Sequence, residues 1–280
     1  MTTANATRTT LSKVPEITAL FWIVKVLTTG MGETTSDFLV THMNPVVGVG
    51  IGFVLFVVAL VLQFRAERYQ PVTYWFAVVM VSVFGTMAAD VLHVGLGVPY
   101  LVSAPSFAVL LALVFVLWRR REGTLSIHSI TTRRREIFYW LAVLATFALG
   151  TATGDMTATS LHLGYFASGV LFVVVMAIPA AGYALGRFNS IFAFWFAYVV
   201  TRPLGASFAD WMGVSHARGG LDFGTGPVSL VLLVIIAVLV GVLVGKERRN
   251  RGPLTVRREK PEGASLEFLR EPDEIAEKRG

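Results

Sequence analysis

Five carboxylates stand where a lipid bilayer would tolerate few. Glu33, Asp37, Asp90, Asp155 and Asp210 all lie at the ends of long apolar runs. Only two bases, Lys25 and Arg202, occur in the same runs. An ionisable side chain at mid-bilayer costs at least about 2.5–3.5 kcal/mol, so such groups persist where they are paired or functional. If the five acids converged ionised, they would exceed the two bases, and protons or a metal cation would have to balance them. Carboxylates with neutral hydroxyls are the donors hard divalent cations prefer. Thr29, Ser82, Thr86 and Thr151 supply such hydroxyls nearby. The chemistry suggested is cation or proton handling. A purely structural use, a carboxylate bonding a neighbouring indole or hydroxyl to fix packing, fits the same residues.

The carboxylates belong to a pattern written four times without a gap. A Trp is followed ten residues later by Gly and five after that by Asp: Trp22–Gly32–Asp37, Trp75–Gly85–Asp90, Trp140–Gly150–Asp155 and Trp195–Gly205–Asp210, each Trp preceded by Phe or Tyr. Helical spacing puts offsets 0, +4, +7, +11 and +15 from each Trp on one stripe. In the first copy these are Trp22, Val26, Thr29, Glu33 and Asp37; in the last they are Trp195, Val199, Arg202, Ala206 and Asp210. Most polar residues of each copy share this stripe, beside glycines that let helices approach closely. The stripe therefore belongs inside a bundle, with every Asp about 22 Å from its Trp at the helical rise. The Trp residues read as packing or interfacial anchors. One His follows each Asp at an irregular offset (His42, His93, His162, His216), a candidate metal ligand or an ordinary helix-end residue.

The elements that must carry these residues are membrane helices. The 280 residues are 54% hydrophobic and 15% charged, where a soluble domain would carry about 25%. Mean hydropathy is +0.65. Runs at 46–64, 99–118, 164–186 and 227–245 approach the roughly 20 residues needed to cross a bilayer. Alternating with the four Trp–Asp segments, they make eight candidate spans, an all-α fold of four parallel helical hairpins at 16–66, 70–120, 134–187 and 190–248. Residues 1–15 read as a cytoplasmic segment without a signal-peptide pattern, and 249–280 as a charged cytoplasmic tail with a short helix near 272–278. The absence of Cys excludes disulfides and thiolate metal sites.

Positive charge alternates between connections. Arg65 and Arg68, Arg119–Arg121 with Arg133–Arg135, Arg187, and Lys246 with Arg248, Arg249 and Arg251 mark one side, against Arg218 alone on the other. The positive-inside rule puts both termini in the cytoplasm, and the net charge of +6 reads as topology and lipid contact rather than nucleic-acid binding.

The segments VPEITALFWIVKVLTTGMGETTSD and FWFAYVVTRPLGASFADW resemble bacterial integral membrane proteins built from four tandem two-helix repeats, a repeat of unknown function with a characteristic Trp. The resemblance spans about residues 13–246 and implies eight membrane helices but no activity. A looser likeness links Gly-Glu-Thr-Thr-Ser-Asp at 32–37 to cation exchangers with Glu–Gly–Asp motifs. The other copies carry Thr86, Thr151 and Ala206 where the first has Glu33. The reading these features favour is a cation transporter, such as a proton-coupled exporter of a divalent metal like Mn²⁺, with lipids, a small cation and protons as partners. Alternatives are a channel with an outer acidic ring, a membrane enzyme or binder of a lipophilic cofactor such as a quinone, and a membrane sensor or scaffold.

Overall fold

The computed structural model describes residues 12–250. The described residues are helical, without strands, and eight long helices dominate: α1 (Ala19–His42), α2 (Pro45–Arg65), α3 (Pro71–Asp90), α4 (Tyr100–Glu122), α5 (Arg133–Asp155), α6 (Tyr165–Ala184), α7 (Ser190–Gly213) and α8 (Thr225–Asn250). Local chemistry sets several boundaries. Thr18, Thr132 and Asn189 cap α1, α5 and α7 by accepting the backbone N–H three residues on. Asn44 caps α2 ahead of Pro45, and Pro71 opens α3. Gly123 (φ +72°) closes α4 in the left-handed conformation. The chain forms one compact unit through Gly245; of a second unit from Lys246, the described residues are the end of α8. The expected helix near 272–278 lies outside the described residues.

Seven helices, α2 through α8, are long and apolar enough to cross a membrane. The sequence suggests eight. The exception is α1, long enough but diluted by Lys25, Glu33, Asp37 and a run of hydroxyl residues. Its position explains this composition: α1 is an inner helix, and its polar groups face other helices. The crossing segments divide the same way. Those of α3, α5 and α7 are 61–67% buried, whereas those of α2, α4, α6 and α8 are 17–33% buried and expose their Val, Leu, Ile and Phe side chains outward.

The four inner helices close into a ring, α1 on α3, α3 on α5, α5 on α7 and α7 on α1. At one end the aromatic pairs repeat one contact around the ring. The residue before each Trp meets the next helix's Trp: Phe21 on Trp75 at 5.6 Å between centroids, Tyr74 on Trp140 at 5.7 Å, Tyr139 on Trp195 at 6.1 Å, and Phe194 back on Trp22 at 5.7 Å. The Tyr74 and Tyr139 hydroxyls share a 2.5 Å hydrogen bond inside this layer. Trp75, Trp140 and Trp195 are buried here, so they serve as packing anchors rather than as a lipid-facing belt.

The hairpins of the sequence reading do not pack as pairs. Each outer helix lies chiefly on the inner helix of the following repeat: α2 on α3, α4 on α5, α6 on α7. Side-chain size explains the choice. Gly52 of α2 admits Met87 of α3, and Phe56 stacks on Phe84 at 4.9 Å, while α1 and α2 meet mainly near their connection, at Gly48 and Leu39. The last outer helix returns to the first repeat, where Ser229 of α8 hydrogen-bonds Thr34 at 2.8 Å and Thr35 at 2.9 Å.

The segment between α4 and α5 packs against the aromatic end rather than forming a free loop. Ile127 and Ile130 are buried, and the Leu125 carbonyl accepts the Trp195 indole N–H at 3.0 Å. Beside it, buried Glu136 accepts from Lys13 Nζ at 2.7 Å and Gln63 Nε2 at 3.0 Å, tying three segments together.

Candidate functional site

The glycine ten residues after each Trp is the element that lets the polar stripes converge. Each one receives the +7 side chain of the next inner helix: Gly32 faces Ser82, Gly85 faces Phe147, Gly150 faces Arg202, and Gly205 faces Thr29. Without Cβ atoms at these four points, the +7 and +11 residues come together in the middle of the ring.

Arg202 occupies that middle. It is fully buried. Its Nη2 pairs with Glu33 Oε2 at 2.5 Å and faces Thr86 Oγ1 and, at 2.7 Å, Thr151 Oγ1; its Nη1 donates to the Thr29 carbonyl at 3.3 Å. Thr86 Oγ1 also reaches Glu33 Oε2 at 3.3 Å and donates to the Ser82 carbonyl at 3.0 Å. One guanidinium thus binds groups from all three other inner helices. Glu33, Thr86 and Thr151 hold the same offset, +11, in their own repeats.

Beyond this layer lie the Asp residues. Carboxylate oxygens of Glu33, Asp155 and Asp210 fall within 4.8 Å of one another. Glu33 and Asp210 are buried, and Asp155 is half-buried. Asp37 and Asp90, also half-buried, interact electrostatically with Glu33 but stand outside this trio. Oxygens sharing one divalent cation at about 2.0–2.6 Å lie no more than about 5 Å apart, so the three carboxylates have a spacing that fits one hard cation.

On the other side of Arg202 the axis is filled. Phe147, the one apolar residue at offset +7, places its ring 5.3 Å from the Arg202 guanidinium carbon and 4.3 Å from Lys25 Nζ. Lys25 Nζ is also 4.3 Å from the Tyr198 ring. Lys25 is fully buried and meets no hydrogen-bond acceptor among the described residues; the two ring faces are its partners. Burial of an ammonium without an acceptor destabilises a fold. Lys25→Met is therefore expected to stabilise the folded protein by about 1–3 kcal/mol, seen as a higher Tm in detergent; a lower Tm would show that the two rings more than offset the lost hydration.

The four His residues do not join the carboxylates. His42, His162 and His216 are exposed, and His216 pairs only with exposed Asp222 at 3.6 Å. His93 is buried, but its Nδ1 lies 3.0 Å from the Val98 carbonyl and its ring packs on Tyr100. The irregular offsets place the four at or just beyond the helix ends, outside the carboxylate trio.

Two tyrosines that the Trp–Gly–Asp pattern does not include complete the site. Tyr100 and Tyr165 open α4 and α6, each 25 residues after its repeat's Trp. Tyr100 lies close to Asp155, and Tyr165 lies close to Asp210 and accepts a 2.7 Å bond from Arg218. Each meets the Asp of the following repeat, because each outer helix has moved onto the next inner one. The shared offset of 25 was the available signal. In these two repeats, a π-helical turn (Val91–Gly95, Met156–Ser160) follows the Asp directly, a distortion frequent near functional positions.

The family model for a repeat of unknown function, DUF347, matches residues 20–69, 73–124, 138–187 and 193–249. The chain belongs to the DUF347 family. No curated protein and no solved structure matches it. The four DUF347 matches coincide with the four inner–outer helix pairs, so the unit of the family is an inner helix with the outer helix that follows it. The Arg202 layer and the carboxylate trio require several such units, since each draws residues from different repeats.

Proposed function

We propose that this protein is a membrane transporter of a small cation, with eight spans in four parallel repeats and both termini in the cytoplasm. The carrying observation is the trio of Glu33, Asp155 and Asp210, three carboxylates from three inner helices spaced to share one cation. The hardness of oxygen donors favours a divalent ion such as Mn²⁺, moved in exchange for protons. Arg202 holds Glu33 when the trio has no cation to neutralise, and releases it as a cation competes for the carboxylate. Asp37 and Asp90 form the approach, and the Tyr100 and Tyr165 hydroxyls position Asp155 and Asp210. The positive-inside distribution of Arg and Lys supports a reading with the aromatic end in the cytoplasm and the carboxylates in the outer half of a bacterial inner membrane. A channel is less well supported, because Arg202, Phe147, Lys25 and Tyr198 fill the axis below the trio.

The test is uptake of Mn²⁺ into proteoliposomes, with internal pH followed by a dye. Wild-type protein is expected to carry Mn²⁺ with opposed proton movement. Asp155→Asn and Asp210→Asn should each lower flux at least about tenfold, as expected for loss of a charged ligand worth more than about 1.4 kcal/mol. Undiminished flux in both variants, correctly folded, would remove the trio from the pathway.

A further inference from the structure

The aromatic end of the ring is not filled equally in all grooves, and the difference defines a second site. Repeats two and three are built on identical spacing, with outer helices α4 and α6 both starting 25 residues after their Trp. Forty-three residues after Trp75 stands Trp118, and forty-three after Trp140 stands Tyr183. Trp118 reaches the aromatic end two repeats on. Trp118 is fully buried, sets its ring edge-on to Trp195 at 5.7 Å and lies parallel to Phe138 at 6.3 Å. Tyr183 does not repeat this. It is 58% exposed, and α6 ends one residue beyond it.

The place where its ring would lie is open. A cavity of about 500 Å³ is bounded by α1, α6, α7 and the segment between α4 and α5. Its apolar wall includes Trp22, Phe194, Ile191, Met176 and Pro179, with Tyr183 at its edge. Ser126, His128 and Ser190 supply the polar groups. Trp22 is the one repeat Trp that is not buried. Trp195 donates its indole N–H to the Leu125 carbonyl, whereas the indoles of Trp22, Trp75, Trp118 and Trp140 meet no acceptor among the described residues; of these four, Trp22 is the one that lines a cavity. A volume in this range, an apolar aromatic wall and a few polar groups are the usual features of a small-molecule pocket.

We infer that this cavity binds a flat, ring-bearing amphipathic molecule of the quinone type, entering from the bilayer. The occupant is specified by the fold itself. In the equivalent groove the Trp118 ring packs against Trp195 and Phe138, so the space opposite Trp22 has room for a ring and for an apolar body beside it. The vacant indole N–H and the Ser126 and Ser190 hydroxyls are donors suited to carbonyl oxygens on a ring edge, while Met176 and Pro179 suit its apolar body. A saturated chain would satisfy the apolar wall but leave these donors unpaired. The inference is independent of the carboxylate site, which lies at the opposite end of the inner helices.

The test uses a decyl-tailed benzoquinone titrated into purified protein in detergent, read by Trp fluorescence. Quinones quench nearby indoles, and the chain has six Trp residues. Wild-type protein should show a saturable partial quench. Trp22→Phe should remove most of that saturable part, and Ala180→Phe, which fills the cavity without adding a Trp, should weaken binding at least tenfold with an unchanged Tm. Decanol, which has the tail but no ring, should not displace the quinone at equal concentration. Quenching that never saturates, saturable quenching unaltered in both variants, or equal displacement by decanol would overturn the inference.

Discussion

Arg202→Leu is expected to lose about 3–5 kcal/mol of stability. The magnitude follows from what Leu would leave behind. Glu33 is buried, and its ion-pair partner among the described residues is Arg202. The Thr86 and Thr151 hydroxyls and the Thr29 carbonyl would lose the same donor. Removing one member of a buried pair is far costlier than never having built the pair, because an uncompensated charge remains in a poorly solvated place. The double variant Arg202→Leu with Glu33→Gln removes both charges and should recover more than half of the loss. Thermal unfolding in detergent measures all three proteins, and a loss of this size should lower Tm by on the order of 10 °C in the single variant. A double variant no more stable than Arg202→Leu alone would mean that the pair is not what Arg202 contributes, and that its packing against Gly150 and Phe147 matters more.

The sequence carried the composition of this site well and its wiring poorly. Offset +11 on a helical stripe predicts that Glu33, Thr86 and Thr151 occupy equivalent positions, and the structure brings all three onto one guanidinium. That Arg202 is the centre depends on helix rotation and on the gap at Gly150, and linear spacing specifies neither. Composition alone sets Lys25 among groups seeking charged partners, whereas two aromatic rings flank it. Pairing α1 with α2 as a hairpin was natural from adjacency. The actual preference of α2 for α3 comes from the fit of Gly52 to Met87 and of Phe56 to Phe84, a matter of shape between residues some thirty positions apart. The same shift hid Tyr100 and Tyr165, whose partners lie in the repeats that follow their own. Cyclic contacts are only weakly encoded in any one repeat: the residue before each Trp is visibly aromatic, but its contact with the next Trp exists only once four copies close.

Gly205→Ala is expected to destabilise the protein by about 3 kcal/mol or more, although the same change at Gly241 should be neutral or stabilise α8 by about 0.5–1 kcal/mol. Both glycines lie within helices, and Ala is the better helix former at both. The difference is what a methyl would meet. At Gly241 nothing lies within 4 Å. At Gly205 the new Cβ would overlap the Thr29 side chain and stand 2.8 Å from the Val26 carbonyl oxygen, a backbone atom of α1 that cannot turn aside. Relief would require α7 to withdraw from α1. Arg202 is one turn earlier on α7, so the same withdrawal would draw it from Glu33 and the Thr29 carbonyl, and Asp210 from the carboxylate trio. A packing defect is therefore expected to appear as a functional one: Gly205→Ala should lower both Tm and Mn²⁺ flux in proteoliposomes, while Gly241→Ala changes neither by much. A Gly205→Ala protein with wild-type Tm would show that the four glycines are not what sets the spacing of the inner helices, and the convergence of the Trp–Gly–Asp stripes would then need another cause.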